Sequence, residues 1–146
     1  MRGIVLAAAV VLAACSATTQ ASAQAENDRA GTWAFQTELY GGMQVGAYMS
    51  GVAVMTATAP DRYDIRLMAN ERLVNRMTGE TRLLVAHQTC TGEQTGAQFS
   101  ITCQLAEPIE GYEADNFLLQ QGEEPGQLVG VLESANSAQV TFTRMR

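Results

Sequence analysis

The chain contains no lysine; all nine of its basic residues are arginines. That excludes a Schiff-base lysine and a phosphate-loop lysine. It has one histidine, His87, and no G-x-S-x-G elbow around any serine. A general base needs a nucleophile and an orienting carboxylate beside it. With neither signalled, His87 reads as an ordinary strand histidine, and no catalytic activity is expected. Fifteen acidic residues against nine basic ones give a formal charge of −6, which argues against nucleic acid as a partner. Charged residues are sparse at 16% and hydrophobic residues reach 47%, so the 146 residues suit one packed domain rather than a disordered chain.

Long apolar runs are also absent, with one exception at the start. Met1-Arg2-Gly3 is a minimal positive segment, and Ile4 to Ala14 is an unbroken apolar run. A membrane-spanning helix needs about 20 residues, so this run reads as a signal-peptide core. Two processing routes fit. Leu12-Ala13-Ala14-Cys15 is a lipobox, which makes residues 1–14 the signal, Cys15 the lipidated N-terminus and residues 15–29 a flexible tether. Ser16 after the cysteine resembles lipoproteins sent to the outer membrane, anchored there and facing the periplasm. Alternatively Ala21-Ser22-Ala23 is an A-x-A site, residues 1–23 are removed, and cleavage before Gln24 leaves a soluble periplasmic or secreted protein. Both routes describe an exported bacterial protein.

Export sets the reading of the cysteines. With Cys15 lipidated or removed, Cys90 and Cys103 remain as a pair in an oxidising compartment. Their spacing matches no zinc site, so a disulfide is expected.

Residues 30–146 read as a single β domain. Period-two alternation recurs in short runs separated by turn residues. The expected strands are Gly31–Leu39, Tyr48–Ala57, Arg62–Glu71, Thr81–Cys90, Gln98–Leu105, Asp115–Gln121, Gln127–Ser134 and Gln139–Met145. Opposing Cys90 with Cys103 places a turn at Thr95 to Gln98. Residues 70–77 are the only helix candidate. One conflict stands in the fourth strand. If Cys90 faces inward, so do Leu84, Ala86 and Gln88, leaving Leu83, Val85 and His87 outside; a bulge or burial of both faces would relieve this.

Eight sequential antiparallel strands predict an up-and-down barrel or a small β-sandwich. In the first strand Trp33, Phe35 and Leu39 share one face. Most inward candidates are large: Trp33, Phe35, Tyr63, Ile65, Leu67, Phe99, Ile101, Leu105, Phe117, Leu119, Leu128, Leu132, Val140 and Phe142, with Ala69 and Gly130 small. A filled interior is therefore expected. Gly31-Thr32-Trp33, opening the first strand, resembles the G-x-W of the calycin group of lipocalins and avidins. That likeness implies a barrel whose tryptophan, with Gly31 beside it, plugs one end, and it implies a carrier of a small apolar ligand. Ala30-Gly31-Thr32-Trp33 in an exported β domain also resembles Inh-type periplasmic metalloprotease inhibitors. It implies that the segment Gln24 to Ala30 enters a protease cleft, although both cysteines here come later than in that family.

Other groupings read as structural. Met43, Met49 and Met55 are six residues apart, too dispersed for a copper site, and are taken as core gap-fillers. Glu107, Glu110, Glu113 and Asp115 match no calcium loop and are taken as a solvated acidic loop. No metal or cofactor is expected. Charge is unevenly spread: Arg62, Arg66, Arg72, Arg76 and Arg82 fall close together, whereas Glu93 to Glu133 contains eight acidic residues and no basic one. Solubility near a membrane, or a docking face for a partner, follows from that asymmetry. The expected function is thus a binding or interaction module with a lipid anchor on Cys15. Its partner is a protein, or a small apolar ligand if it acts as a carrier.

Overall fold

A computed structural model describes residues 28–146. The signal and lipobox readings, Cys15 included, lie outside the described residues, as does most of the tether. Among the described residues nine strands are formed: β1 (Gly31–Thr37), β2 (Tyr40–Gly41), β3 (Val45–Ala59), β4 (Arg62–Asn75), β5 (Thr81–Thr95), β6 (Gln98–Leu105), β7 (Asn116–Gln121), β8 (Gln127–Glu133) and β9 (Ser137–Arg144). From β3 to β9 each strand pairs antiparallel with the next, and β1 pairs with both β9 and β3. The ring therefore closes as an eight-stranded up-and-down barrel, with β2 a two-residue addition to β3. Closure removes the open sheet edges that would otherwise invite aggregation. The sandwich alternative is excluded.

Alternation dictates which residues meet. Phe35 stacks on Phe142 at 5.0 Å between ring centres, and Phe117 meets both rings edge-on at 5.6 and 5.2 Å. Tyr63 and Phe99 form a second edge-to-face pair at 5.5 Å. Such pairs add about 0.5–1.5 kcal/mol beyond area burial. Met49, Met55, Ile65, Ile101, Leu119, Leu128 and Leu132 fill the space between them. The interior is occupied by large buried side chains, as the large inward residues imply.

The hairpins follow from turn chemistry. Gly96 takes a φ of +60° between Thr95 and Gln98, where the expected turn falls. Cys90 and Cys103 face each other across β5 and β6 and are joined as a disulfide. Asp61, at φ +60°, turns β3 into β4, a conformation that a short polar side chain tolerates.

Several expectations are corrected. Residues 70–77 are not a helix: β4 runs on to Asn75, paired residue for residue with β3 and β5. There the alternation is disguised because Glu71 points inward. β1 ends at Thr37, so Leu39 faces solvent and Tyr40 takes the inward place. Met43 is exposed and fills no gap, and Leu105 is only half-buried. The conflict in β5 is relieved neither by a bulge nor by double burial. Its register with β4 is unbroken, and Leu83 and Val85 remain 54% and 43% exposed.

Candidate functional site

Three regions carry chemistry beyond packing. The first is the barrel end at Trp33. Its indole Nε1 donates to the Arg29 carbonyl at 2.9 Å, and the Arg144 guanidinium lies 4.6 Å from the ring centre. Arg144 also donates to the Ala30 carbonyl at 2.7 Å and to that of Asp28. Arg29, assigned by sequence to the tether, is buried: its guanidinium donates to Gln94 Oε1 at 3.2 Å and Gln121 Oε1 at 2.9 Å. Burial lowers the Arg29 pKa, with the Arg144 charge adding to the effect and the Tyr63 and Asp28 groups opposing it. Asp28 to Ala30 is thus packed against the barrel rather than projecting as an inhibitory arm; the rest of that arm lies outside the described residues.

The second region is the opposite end. Asp115, expected in a solvated loop, is 1% exposed. Its Oδ2 accepts from Gln88 Nε2 at 2.5 Å and from the Tyr112 hydroxyl at 2.7 Å, and its backbone N–H donates to Gln88 Oε1 at 2.9 Å. Its Oδ1 has no hydrogen-bond partner. Nearby, the Tyr40 hydroxyl donates to Glu71 Oε1 at 2.5 Å. Burial raises the Asp115 pKa; bonds from Tyr112, Gln88 and Ser134 partly offset this, and the Glu71 charge adds to it. Burial and the neighbouring acids also raise both tyrosines above the ordinary phenol range. Tyr40, Glu71, Tyr112 and Asp115 together line a cavity of about 150 Å³.

The one sequence signal for this cluster was Gln88. Its alternation with Ala86 and Cys90 turns it inward, and a buried amide must find partners. Nothing local to Asp115 marks it as that partner. Glu107, Glu110 and Glu113 do not join it as a calcium loop, and no group of three or more metal-ligating side chains occurs among the described residues.

The third region is the outer wall of β3, β4 and β5. Antiparallel register sets Val52 beside Met68 and Met68 beside His87, Asn70 beside Val85, Tyr48 beside Arg72, and Arg72 beside Leu83. Val54 lies opposite Arg66. Tyr48, Val54, Met68, Leu83 and Val85 are all exposed, and Arg72 lies over the Tyr48 ring at 5.9 Å. The result is a contiguous apolar strip bordered by guanidinium groups. His87 stands at its edge, exposed on the wall rather than in a cleft. Around the ring β8 lies opposite β4, so Glu123, Glu124 and Glu133 belong to the far side. The arginine cluster is largely unneutralised: the one salt bridge among the described residues is Arg62–Glu93, at 3.7 Å between exposed side chains.

No family model and no curated protein matches this chain. Among solved structures it is similar to one described as the de novo design of a fluorescence-activating β-barrel. The two are 15% identical, with 84% of this chain and 98% of the other covered and a TM-score of 0.56. At that identity the likeness concerns the path of the strands, and it supports assignment of the chain to the small closed antiparallel barrels.

Proposed function

We propose that the protein is an exported, non-catalytic binding module that docks through the outer wall of β3, β4 and β5. The partner is a protein surface that offers an apolar strip flanked by carboxylates. The observation that carries this reading is the row of exposed Tyr48, Val54, Met68, Leu83 and Val85 alongside Arg66 and Arg72. Large side chains placed outward in a barrel with a complete core are not needed for folding, and contiguous exposed apolar patches mark interaction surfaces. Arginine is enriched at such surfaces because its planar group both stacks and binds carboxylates in pairs.

The alternative as a calycin-type carrier draws support from Gly31-Thr32-Trp33 and from the tryptophan at one barrel end. The filled interior weighs against it, since carriers enclose about 300 Å³ or more. The inhibitor alternative has less support, because Asp28 to Ala30 is tied down. The lipobox supports anchoring through Cys15 at the outer membrane, facing the periplasm; cleavage before Gln24 is the competing outcome. Replacing Cys15 with serine decides between them, since only the lipidated form loses membrane association.

The docking face is tested by a photo-reactive residue placed at Val85 and, as control, at Gln139 on β9, with irradiation in the native cell envelope. Cross-links from position 85 to one protein, absent from position 139, support the proposal. Equal patterns from both positions, or none from position 85, sink it.

A further inference from the structure

We infer that the cavity at the Tyr40–Tyr112 end of the barrel is a binding site for a small organic cation. The group recognised is a primary ammonium or guanidinium, carried either by a free amine or by a basic side chain of a partner. Glu71 and Asp115 face this one cavity, and neither forms an ion pair among the described residues. The chain has no lysine to offer. The charge that acts on Asp115 is that of Glu71, another acid. A buried carboxyl group beside a half-buried one, without a counter-charge, is costly, and a cation from outside relieves both at once.

The acceptors are already arranged for such a group. Tyr40 and Tyr112 spend their hydroxyl protons on Glu71 Oε1 and Asp115 Oδ2, which fixes the two carboxyl groups in place. Asp115 Oδ1 is left buried without a hydrogen bond; the Ser134 hydroxyl, close enough to lower the Asp115 pKa, donates to the Glu113 carbonyl at 3.3 Å. A buried acceptor with no donor is rare in a folded protein and calls for a ligand. An ammonium brings three donors and a guanidinium five. The remaining lining includes Leu73, Leu84 and Leu132, which suits an alkyl stem running out from a charged head. The cavity, at about 150 Å³, admits such a head group but not a larger ligand of about 300 Å³ or more. A divalent metal fits poorly, because calcium asks for about six to eight oxygens.

The test is an NMR titration of the purified full chain, with backbone amide and side-chain carboxyl resonances followed. The probes are butylammonium chloride and Nα-acetyl-lysine amide, against sodium chloride at matched ionic strength. Saturable shifts at Tyr40, Glu71, Tyr112 and Asp115 with either amine, absent with sodium, support the site. Tighter binding of butylammonium points to a free amine, and tighter binding of the lysine derivative to a partner side chain. Glu71→Gln keeps the Tyr40 contact and therefore the fold, and is expected to weaken binding about tenfold or more, the loss of one charge-assisted hydrogen bond. Asp115→Asn provides a second check. Shifts that fail to saturate or that match those in sodium chloride overturn the inference. So does unchanged affinity in both folded variants.

Discussion

Asp115 shows how one residue couples burial to solution conditions. Its ordinary carboxyl value is 3.8, and burial raises it in the folded state. Between the unfolded and folded values the native chain holds a proton that the unfolded chain has released. Stability must therefore fall as pH rises through that window, and level off above it. Urea denaturation from pH 4 upward is expected to show this decline, and Asp115→Asn to lack it; a parallel decline in the variant would assign the effect elsewhere. Gly130 shows steric necessity. A Cβ there would lie 2.0 Å from the Leu118 carbonyl oxygen on the neighbouring strand. Gly130→Ala is expected to cost about 1–3 kcal/mol, read as a lower urea midpoint. Sequence marked Gly130 as a small inward position, but not how closely β7 passes it. It marked Asp115 as solvated, because an acid at the end of a polar loop carries no local sign of the glutamine that binds it.

The strands themselves were legible wherever a single period dominated. Tyr63, Ile65, Leu67 and Ala69 announced the first half of β4, and Phe99, Ile101 and Cys103 announced β6. The second half of β4 was hidden. Glu71 faces in to meet Tyr40 while Arg72 faces out, so hydropathy loses its alternation there. β5 was underestimated in the same way, because Gly92 looked like a breaker although it pairs within the ladder. The β5–β6 hairpin carries the disulfide across 13 residues. Its loss should cost about 3 kcal/mol in the chain-entropy picture. A double Cys90→Ala and Cys103→Ala chain should keep its β-sheet circular dichroism while unfolding at lower urea. Unchanged stability would mean that the hairpin needs no covalent closure.

Across the whole molecule, packing and surface are separable. The core is complete without Leu83 and Val85, which face outward at 54% and 43% exposure. Replacing them together, Leu83→Ser with Val85→Thr, should change stability by no more than about 0.5 kcal/mol at each site. The same variant should lose the cross-linked partner. A large loss of stability instead would show the strip to be structural.

At the Trp33 end the Met145 N–H donates to the Thr32 carbonyl, and Arg144 clasps Ala30 and Asp28. The described chain thus starts and finishes at one pole. A lipid on Cys15, fourteen residues before Arg29 in sequence, would tie the barrel to the bilayer by that pole. The Tyr40–Tyr112 mouth sits at the far pole and the arginine flank along the side, so an anchor at this pole would obstruct neither.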